Sequence, residues 1–319
     1  MKKNEWNARF EENSPDGREV PVGKSFQWSG CTFHVPSVYI CDEGLIIDFC
    51  IKSDREEYRA FLEKWRYLFD REKGGGKPTQ RERQQFEYDN PLDRMFKTAA
   101  WVNGKILKYK GGYGMQWVPN DLIPIMRDEI DIKPFMEHYG LDPDQVWQFR
   151  RDRYYWDEED AQELKSLELK LSQRPRMHPS TEFPTPKAGE SVTIVNPLNG
   201  AEHVLTVTDI RQEKIQRFQH EDLLFPENCT VMSYTLEPEL PKDVFFVTDT
   251  AESDQPKRIG NRNTHGGAIS VIVSNREQSE CRYTASSMHF EPVGEVTWQA
   301  QFRAKTVEDI KVNIIENPA

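Results

Sequence analysis

The chain has 319 residues, of which 37% are hydrophobic and 30% are charged. Its formal net charge of −11 argues against a general nucleic-acid-binding protein, because phosphate contacts need concentrated Lys and Arg. No segment approaches the run of about 18 apolar residues that a membrane helix needs, and residues 1–7 lack the apolar run of a signal peptide. We therefore expect a cytoplasmic protein with neither a nucleic-acid partner nor a membrane association.

The cysteines predict no disulfide framework. There are five of them, an odd number, and no two have the Cys-x-x-Cys spacing. Reduced thiols in a cytoplasm explain this pattern better than the paired cysteines of a secreted protein.

The first elements predicted along the chain are a β-hairpin and a helix, after a loosely held arm over residues 1–24. Two β-rich runs, 38–41 and 45–51, flank a glycine turn and predict the hairpin. Over residues 54–70 the apolar side chains recur at helical spacing. Ser53 with Glu56 three residues later resembles a capping box, which would start this helix. The apolar stripe of the helix is Tyr58, Phe61, Leu62, Trp65, Leu68 and Phe69.

Residues 71–93 are charged and contain three consecutive glycines, which predicts a flexible excursion with little core of its own. Asn103-Gly104 then predicts a second hairpin, since both residues tolerate positive φ. Pieces of helix over 121–139 are limited by Pro124 and Pro134.

A strand is predicted over residues 145–156, because its side chains alternate between two faces. For the following segment, 158–171, two interpretations stay open. Leu167, Leu169 and Leu171 alternate as in a returning strand, whereas Ala161, Leu164, Leu167 and Leu171 share one helical face.

The proline-rich segment 174–187 predicts a domain boundary. It holds four prolines in fourteen positions, which favours an extended linker. We therefore predict an N-terminal β-rich domain over 1–173 and a C-terminal all-β domain over 188–319.

The second half has several short β-like runs separated by polar turns, the pattern of a sandwich or barrel. Its last predicted hairpin, 296–303 with 310–314, loosely repeats 146–150 with 167–171. Two explanations of this repeat stay open: a true internal duplication, or the patterning that all amphipathic strands share. The predicted fold class is mainly β, or β-rich α+β: two tandem β-sandwich-like domains, the first with one packed amphipathic helix.

No short motif of a common enzyme class occurs in the sequence. The segment from Gly17 to Ser25 fails as a phosphate loop, because five residues separate its glycines where the motif has four. The seven histidines lack paired spacing, so no metal site is predicted, and no cofactor is predicted either.

Two stretches are candidate ligand sites. The loop 260–267 contains Asn261, Arg262, Asn263 and His265, whose side chains supply directional hydrogen bonds between flexible glycines. A solvated turn is the competing interpretation of this loop.

The second candidate is the strand face that carries Trp147, Arg151 and Tyr155, since rings and guanidinium groups on one face can stack on a sugar, a base or a side chain. In the competing interpretation the rings lie in the core and the arginines pair with the acidic run 157–160.

These observations favour a non-enzymatic module that binds a protein or a saccharide. One alternative is an enzyme with a site between the domains that uses His265 and Arg262. Another is a structural subunit of a larger assembly. The sequence does not specify an oligomeric state.

Overall fold

The structure is a computed structural model, and it describes residues 17–74, 78–93, 95–122, 132–156, 163–215, 223–258 and 281–316. The fold is mainly β with several antiparallel sheets, as predicted. The chain forms two compact units. Unit 1 comprises residues 1–74, 89–174 and 306–319, and unit 2 comprises residues 75–88 and 175–305.

Unit 1 contains a five-stranded and a four-stranded sheet with a shared core. The five-stranded sheet has the order β1 (Arg18–Trp28), β2 (Cys31–Cys41), β3 (Gly44–Ser53), β7 (Val146–Tyr155), β6 (Lys108–Trp117). The four-stranded sheet has the order β18 (Ile310–Ile315), β8 (Leu167–Gln173), β4 (Phe96–Val102), β5 (Lys105–Ile106). Alternating side chains of both sheets, such as Ile47 and Leu169, form one buried cluster. Burial of such side chains is the main favourable term in folding.

Unit 2 is also a pair of sheets around a core. One sheet has the order β10 (Ser191–Val195), β11 (Glu202–Lys214), β13 (Asn228–Glu237), β16 (Arg282–Ala285). The other has the order β14 (Phe245–Asp249), β17 (Thr297–Ala304), β9 (Arg176–Pro184). A two-stranded ribbon joins β12 (Leu223–Leu224) to β15 (Lys257–Arg258). Trp298, which is fully buried, lies in the core between the two larger sheets.

Three helices occur in the described residues: α1 (Arg55–Gly74), α2 (Gln80–Asp89) and α3 (Lys133–His138). The predicted helix 54–70 is confirmed by α1, whose Tyr58, Phe61, Trp65 and Leu68 are buried. Its capping residue is Asp54 rather than Ser53, since a carboxylate oxygen of Asp54 accepts the backbone N–H groups of Glu56 and Glu57. None of the helices in the described part of the chain is long and apolar enough to cross a membrane.

The predicted excursion over 71–93 is wrong in part, because α1 continues to Gly74 and α2 follows. A true capping box starts α2: the Glu82 carboxylate accepts the backbone N–H of Thr79, and the Thr79 hydroxyl accepts the backbone N–H of Glu82. The arm predicted over 1–24 is also wrong from Arg18 onward, where β1 begins.

The hairpins predicted at 38–51 and at Asn103-Gly104 are confirmed. The strand interpretation of 167–171 is confirmed as well, by β8. The prediction of a last hairpin is wrong, because β17 pairs with β14 and β9 whereas β18 pairs with β8. The similar pattern at 146–150 and 167–171 does not form a hairpin either. Its first strand, β7, lies between β3 and β6, whereas its second strand, β8, belongs to the other sheet of unit 1.

The segment predicted as a linker contains β9, a full member of the three-stranded sheet of unit 2. Proline is tolerated at an edge strand, because its missing N–H can face away from the neighbouring strand. The division of the chain into 1–173 and 188–319 stays a prediction.

Candidate functional site

The face of β7 chosen from the sequence is covered mainly by α3. Trp147 and Phe149 are buried with Phe135 and Met136 of α3. Arg151 is fully buried on the same face, and Tyr155 is half-buried near its end. The predicted alternation of the strand is therefore correct, while a ligand-binding role for Trp147, Arg151 and Tyr155 stays a prediction.

The Arg151 guanidinium is paired with a carboxylate that faces it from β3. Its Nε and Nη2 donate to the two oxygens of Asp48 at 2.7 and 2.8 Å. Tyr139 donates a further hydrogen bond to Asp48 at 2.8 Å, and its hydroxyl lies 2.6 Å from that of Tyr39. The competing interpretation placed the arginine beside the acidic run 157–160, which lies outside the described residues. The partner that the structure shows for Arg151 is Asp48, a residue about a hundred positions away.

A second buried ion pair lies on the opposite face of β7. Asp152 is fully buried and accepts a hydrogen bond from Arg150 Nε at 2.7 Å. Thr98 of β4 also donates to this carboxylate, and Tyr154 donates to the Thr98 hydroxyl. Arg150 in addition donates to the backbone oxygen of Phe96. Arg151 and Asp152 are neighbours in β7, and each belongs to a charged network on a different face of the sheet.

These networks position strands rather than present chemistry to solvent. Asp48, Arg151 and Asp152 are each 0% exposed, so a ligand cannot reach them without opening the core. The hydrogen bonds satisfy the charges, which is the condition for keeping an ion pair in a low-dielectric interior.

Burial raises the pKa of both tyrosines beside Asp48, since it disfavours the charged phenolate, and the nearby carboxylate raises the pKa of each further. Burial likewise raises the pKa of Tyr58 and of Tyr234 to about 12. Each phenol therefore stays neutral in the folded protein at a pH where it ionises in the unfolded chain.

We expect the free energy of unfolding to fall as the pH rises above 10, the ordinary pKa of tyrosine. Each tyrosine held neutral contributes a slope of about 1.4 kcal/mol per pH unit until its folded-state pKa is reached. Urea unfolding at a series of alkaline pH values measures this loss. Near-ultraviolet absorbance should show fewer tyrosinates in the native protein than in the unfolded protein at about pH 11. Equal numbers in the two states would contradict the prediction.

An open groove of about 800 Å³ lies in unit 1. Its lining residues fall into two groups: apolar side chains and prolines, here called the floor, and polar or charged side chains, here called the rim. The described floor residues are Trp117, Pro119, Met136, Leu141 and Pro143. The described rim residues are Arg55, Asn120, Asp121, Lys133, Glu137 and Asp144. An apolar floor with a few convergent polar groups is the usual composition of a ligand site.

Two tryptophans hold the loop that follows α3 through hydrogen bonds from their indole N–H groups. Trp117 of β6 lies directly opposite Trp147 of β7 in the register of the sheet. The indole N–H of Trp117 donates to the backbone oxygen of Pro143, and that of Trp147 donates to the backbone oxygen of Asp142, both at 2.8 Å. The loop after α3 is thereby held against the two rings. Trp117 is half-buried and lines the groove.

The first turn of α1 supplies one cation of the groove, Arg55. Arg55 donates to the carboxylate of Asp121 and to the backbone oxygen of Asp144. The other two rim carboxylates, on Glu137 and Asp144, belong to exposed residues. Within the described ranges, no three His, Cys, Asp or Glu side chains are grouped to hold a metal ion.

Comparison of the chain with protein-family models, with curated proteins and with solved structures gave no match. The groove is therefore interpreted from its own chemistry.

The other predicted site, the loop with Asn261, Arg262, Asn263 and His265, lies outside the described residues. Sequence reasoning missed the groove, although it chose the neighbouring face of β7. The missed residues, Arg55, Trp117 and Lys133, come from three separate elements, and only the register of β6 with β7 brings Trp117 to Trp147. An indole at the end of a glycine-rich strand was the one local signal.

Proposed function

We propose that this protein is a non-enzymatic binding module and that the groove of unit 1 binds a saccharide. The observation that carries the proposal is the half-buried Trp117 ring in a groove whose lining combines apolar side chains with carboxylates and cations. A sugar ring has an apolar C–H face and a polar edge of hydroxyl groups. The indole can stack on the C–H face of the sugar, and the rim residues can form hydrogen bonds with its hydroxyl groups.

The rim also favours a neutral, hydroxyl-bearing ligand. Asp121, Glu137 and Asp144 outnumber Arg55 and Lys133, and Arg55 is already paired with Asp121. An anionic ligand would meet repulsion from the remaining carboxylates. Carboxylates accept hydrogen bonds from sugar hydroxyls, and Lys133 and Asn120 donate to them.

The two buried ion pairs do not supply catalytic groups. Catalytic acids and bases must reach a substrate, and the fully buried Asp48 and Asp152 do not. An enzyme that uses His265 and Arg262 stays the alternative proposal.

Replacing Trp117 with alanine is expected to weaken saccharide binding about tenfold or more, which is ~1.4 kcal/mol of binding free energy, because tryptophan anchors dominate such interfaces. An oligosaccharide array identifies the ligand, and titration calorimetry measures the affinities.

Trp101→Ala is the matched control. Trp101 is a half-buried tryptophan of the same unit on β4, with the Lys311 ammonium 4.9 Å from its ring centre. This variant should bind as the wild type does. Equal affinities of the Trp117 and Trp101 variants, or no bound oligosaccharide on the array, would refute the proposal.

A further inference from the structure

The three-stranded sheet of unit 2 has one apolar and one polar face. Trp298, Ala300 and Phe302 of β17 are buried in the core. The alternate residues of β17, Gln299 and Gln301, therefore lie on the outer face. Residues of the neighbouring strands lie beside these glutamines. Thr248 of β14 and Glu182 of β9 are opposite Gln299, and Phe246 of β14 is opposite Gln301.

The two glutamines are nine-tenths buried or more, with 7% and 5% of their surface exposed. They form a chain of hydrogen bonds. Gln301 Nε2 donates to Gln299 Oε1 at 3.1 Å, and Gln299 Nε2 donates to the Glu182 carboxylate at 3.1 Å. Thr248 Oγ1 is buried and has no hydrogen-bond partner among the described residues. The face thus presents amides, a carboxylate and a hydroxyl beside the half-buried ring of Phe246.

Helix α2 contacts this face through polar side chains. Arg81 Nε lies 3.0 Å from the Glu182 carboxylate, and Gln84 Oε1 accepts from Gln301 Nε2 at 3.4 Å. Arg83 pairs with Glu252. At the end of the helix, Arg176 donates to the backbone oxygens of Glu87 and Tyr88.

These contacts hold the first part of α2 weakly, whereas near its end the Tyr88 hydroxyl lies 3.1 Å from His178 Nδ1. None of the side chains described for α2 is fully buried, and Phe86 is only half-buried. The side chains of Arg81 and Arg83 are 63% and 48% exposed, and exposed ion pairs add little stability. A helix that buries so little apolar surface opens at a smaller free-energy cost than the sheet beneath it.

We infer that the outer face of this sheet is a second saccharide-binding face, which α2 covers until the ligand displaces it. Sugar hydroxyls both donate and accept, so they replace the hydrogen bonds that Arg81 and Gln84 make. They also supply a partner for the Thr248 hydroxyl, which has none within the described ranges. The Phe246 ring offers an apolar surface to the C–H face of a sugar. This face is separate from the groove of unit 1, and it binds only in the fraction of molecules in which α2 is open.

The test compares the full chain with a release variant, Arg81→Ala combined with Gln84→Ala, on an array of oligosaccharides. The release variant should gain about tenfold in affinity for the ligand of this face, because a larger fraction is open. Glu87→Ala, a change of an exposed residue in the same helix, should leave the affinity unchanged. Adding Gln301→Leu to the release variant should remove the gain, and its thermal denaturation shows whether it remains folded.

Amide hydrogen exchange supplies the second readout. Bound oligosaccharide should speed exchange over residues 80–88 and slow it over β17. If the release variant gains no affinity for any oligosaccharide, or if α2 becomes more protected on binding, the inference is wrong. Trp117→Ala separates the two sites: it weakens binding in the groove of unit 1 about tenfold and leaves the gain of the release variant intact.

Discussion

Replacing Arg151 with methionine is expected to lower the free energy of unfolding by about 3–5 kcal/mol, the usual cost of removing one partner of a buried ion pair. The change leaves the Asp48 carboxylate with the hydrogen bond from Tyr139 but without its cation, in an interior where Asp48 is fully buried. Urea unfolding followed by tryptophan fluorescence measures the difference.

Arg211→Met is the matched control, because Arg211 pairs with Asp209 and Glu213 while half of its side chain stays exposed. We expect this variant to change stability by less than about 0.5 kcal/mol. A double variant, Asp48→Leu with Arg151→Met, should be more stable than the single Arg151 variant, since no unpaired charge remains. If Arg151→Met costs no more than Arg211→Met, the Asp48 pair does not hold β3 to β7.

Replacing Gly112 with alanine is expected to lower the free energy of unfolding by about 2–3 kcal/mol, through overpacking of a closed site. A Cβ atom at this position of β6 would lie 2.3 Å from Asp152 Oδ1 and 2.9 Å from the Tyr109 hydroxyl. The carboxylate cannot move aside freely, because Arg150 and Thr98 both bind it. The added methyl group therefore displaces the strand or breaks the network.

Gly114→Ala tests the same strand without the same clash. A Cβ atom there would lie 3.4 Å from the backbone oxygen of Phe149, which is an ordinary contact. Its effect should stay within about 0.5 kcal/mol. Equal unfolding midpoints for the two variants would show that the Asp152 network does not restrict β6.

Local patterns predicted the elements that depend on neighbours in the chain. The stripe of α1 and the Asn103-Gly104 turn follow from spacing and from turn chemistry, and both are in the structure. The missed helix α2 also had a local signal, the pair Thr79 and Glu82, which the nearby glycines obscured. The cap of α1 was assigned one residue early, because Ser53 continues β3 and Asp54 makes the turn.

Local sequence patterns did not predict which strands pair with each other. Alternation shows that residues 296–303 and 310–314 are strands, but it is equally compatible with any partner whose face is apolar. In the structure β18 pairs with β8, so the return strands of the two supposed hairpins lie beside each other, each far from its predicted partner. A short connection therefore does not imply a hairpin in this chain.

The sequence by itself determined a mainly β chain with one long amphipathic helix, and it singled out the face of β7 that carries Trp147 and Arg151. Only the tertiary structure decided what this face contacts, because the partner of Arg151 is Asp48 and the residue opposite Trp147 is Trp117. Both pairings depend on strand register, which sets distances between residues far apart in the chain. The periodicity of a strand shows which face of the sheet a side chain lies on, whereas the register determines which residues of the neighbouring strands it contacts.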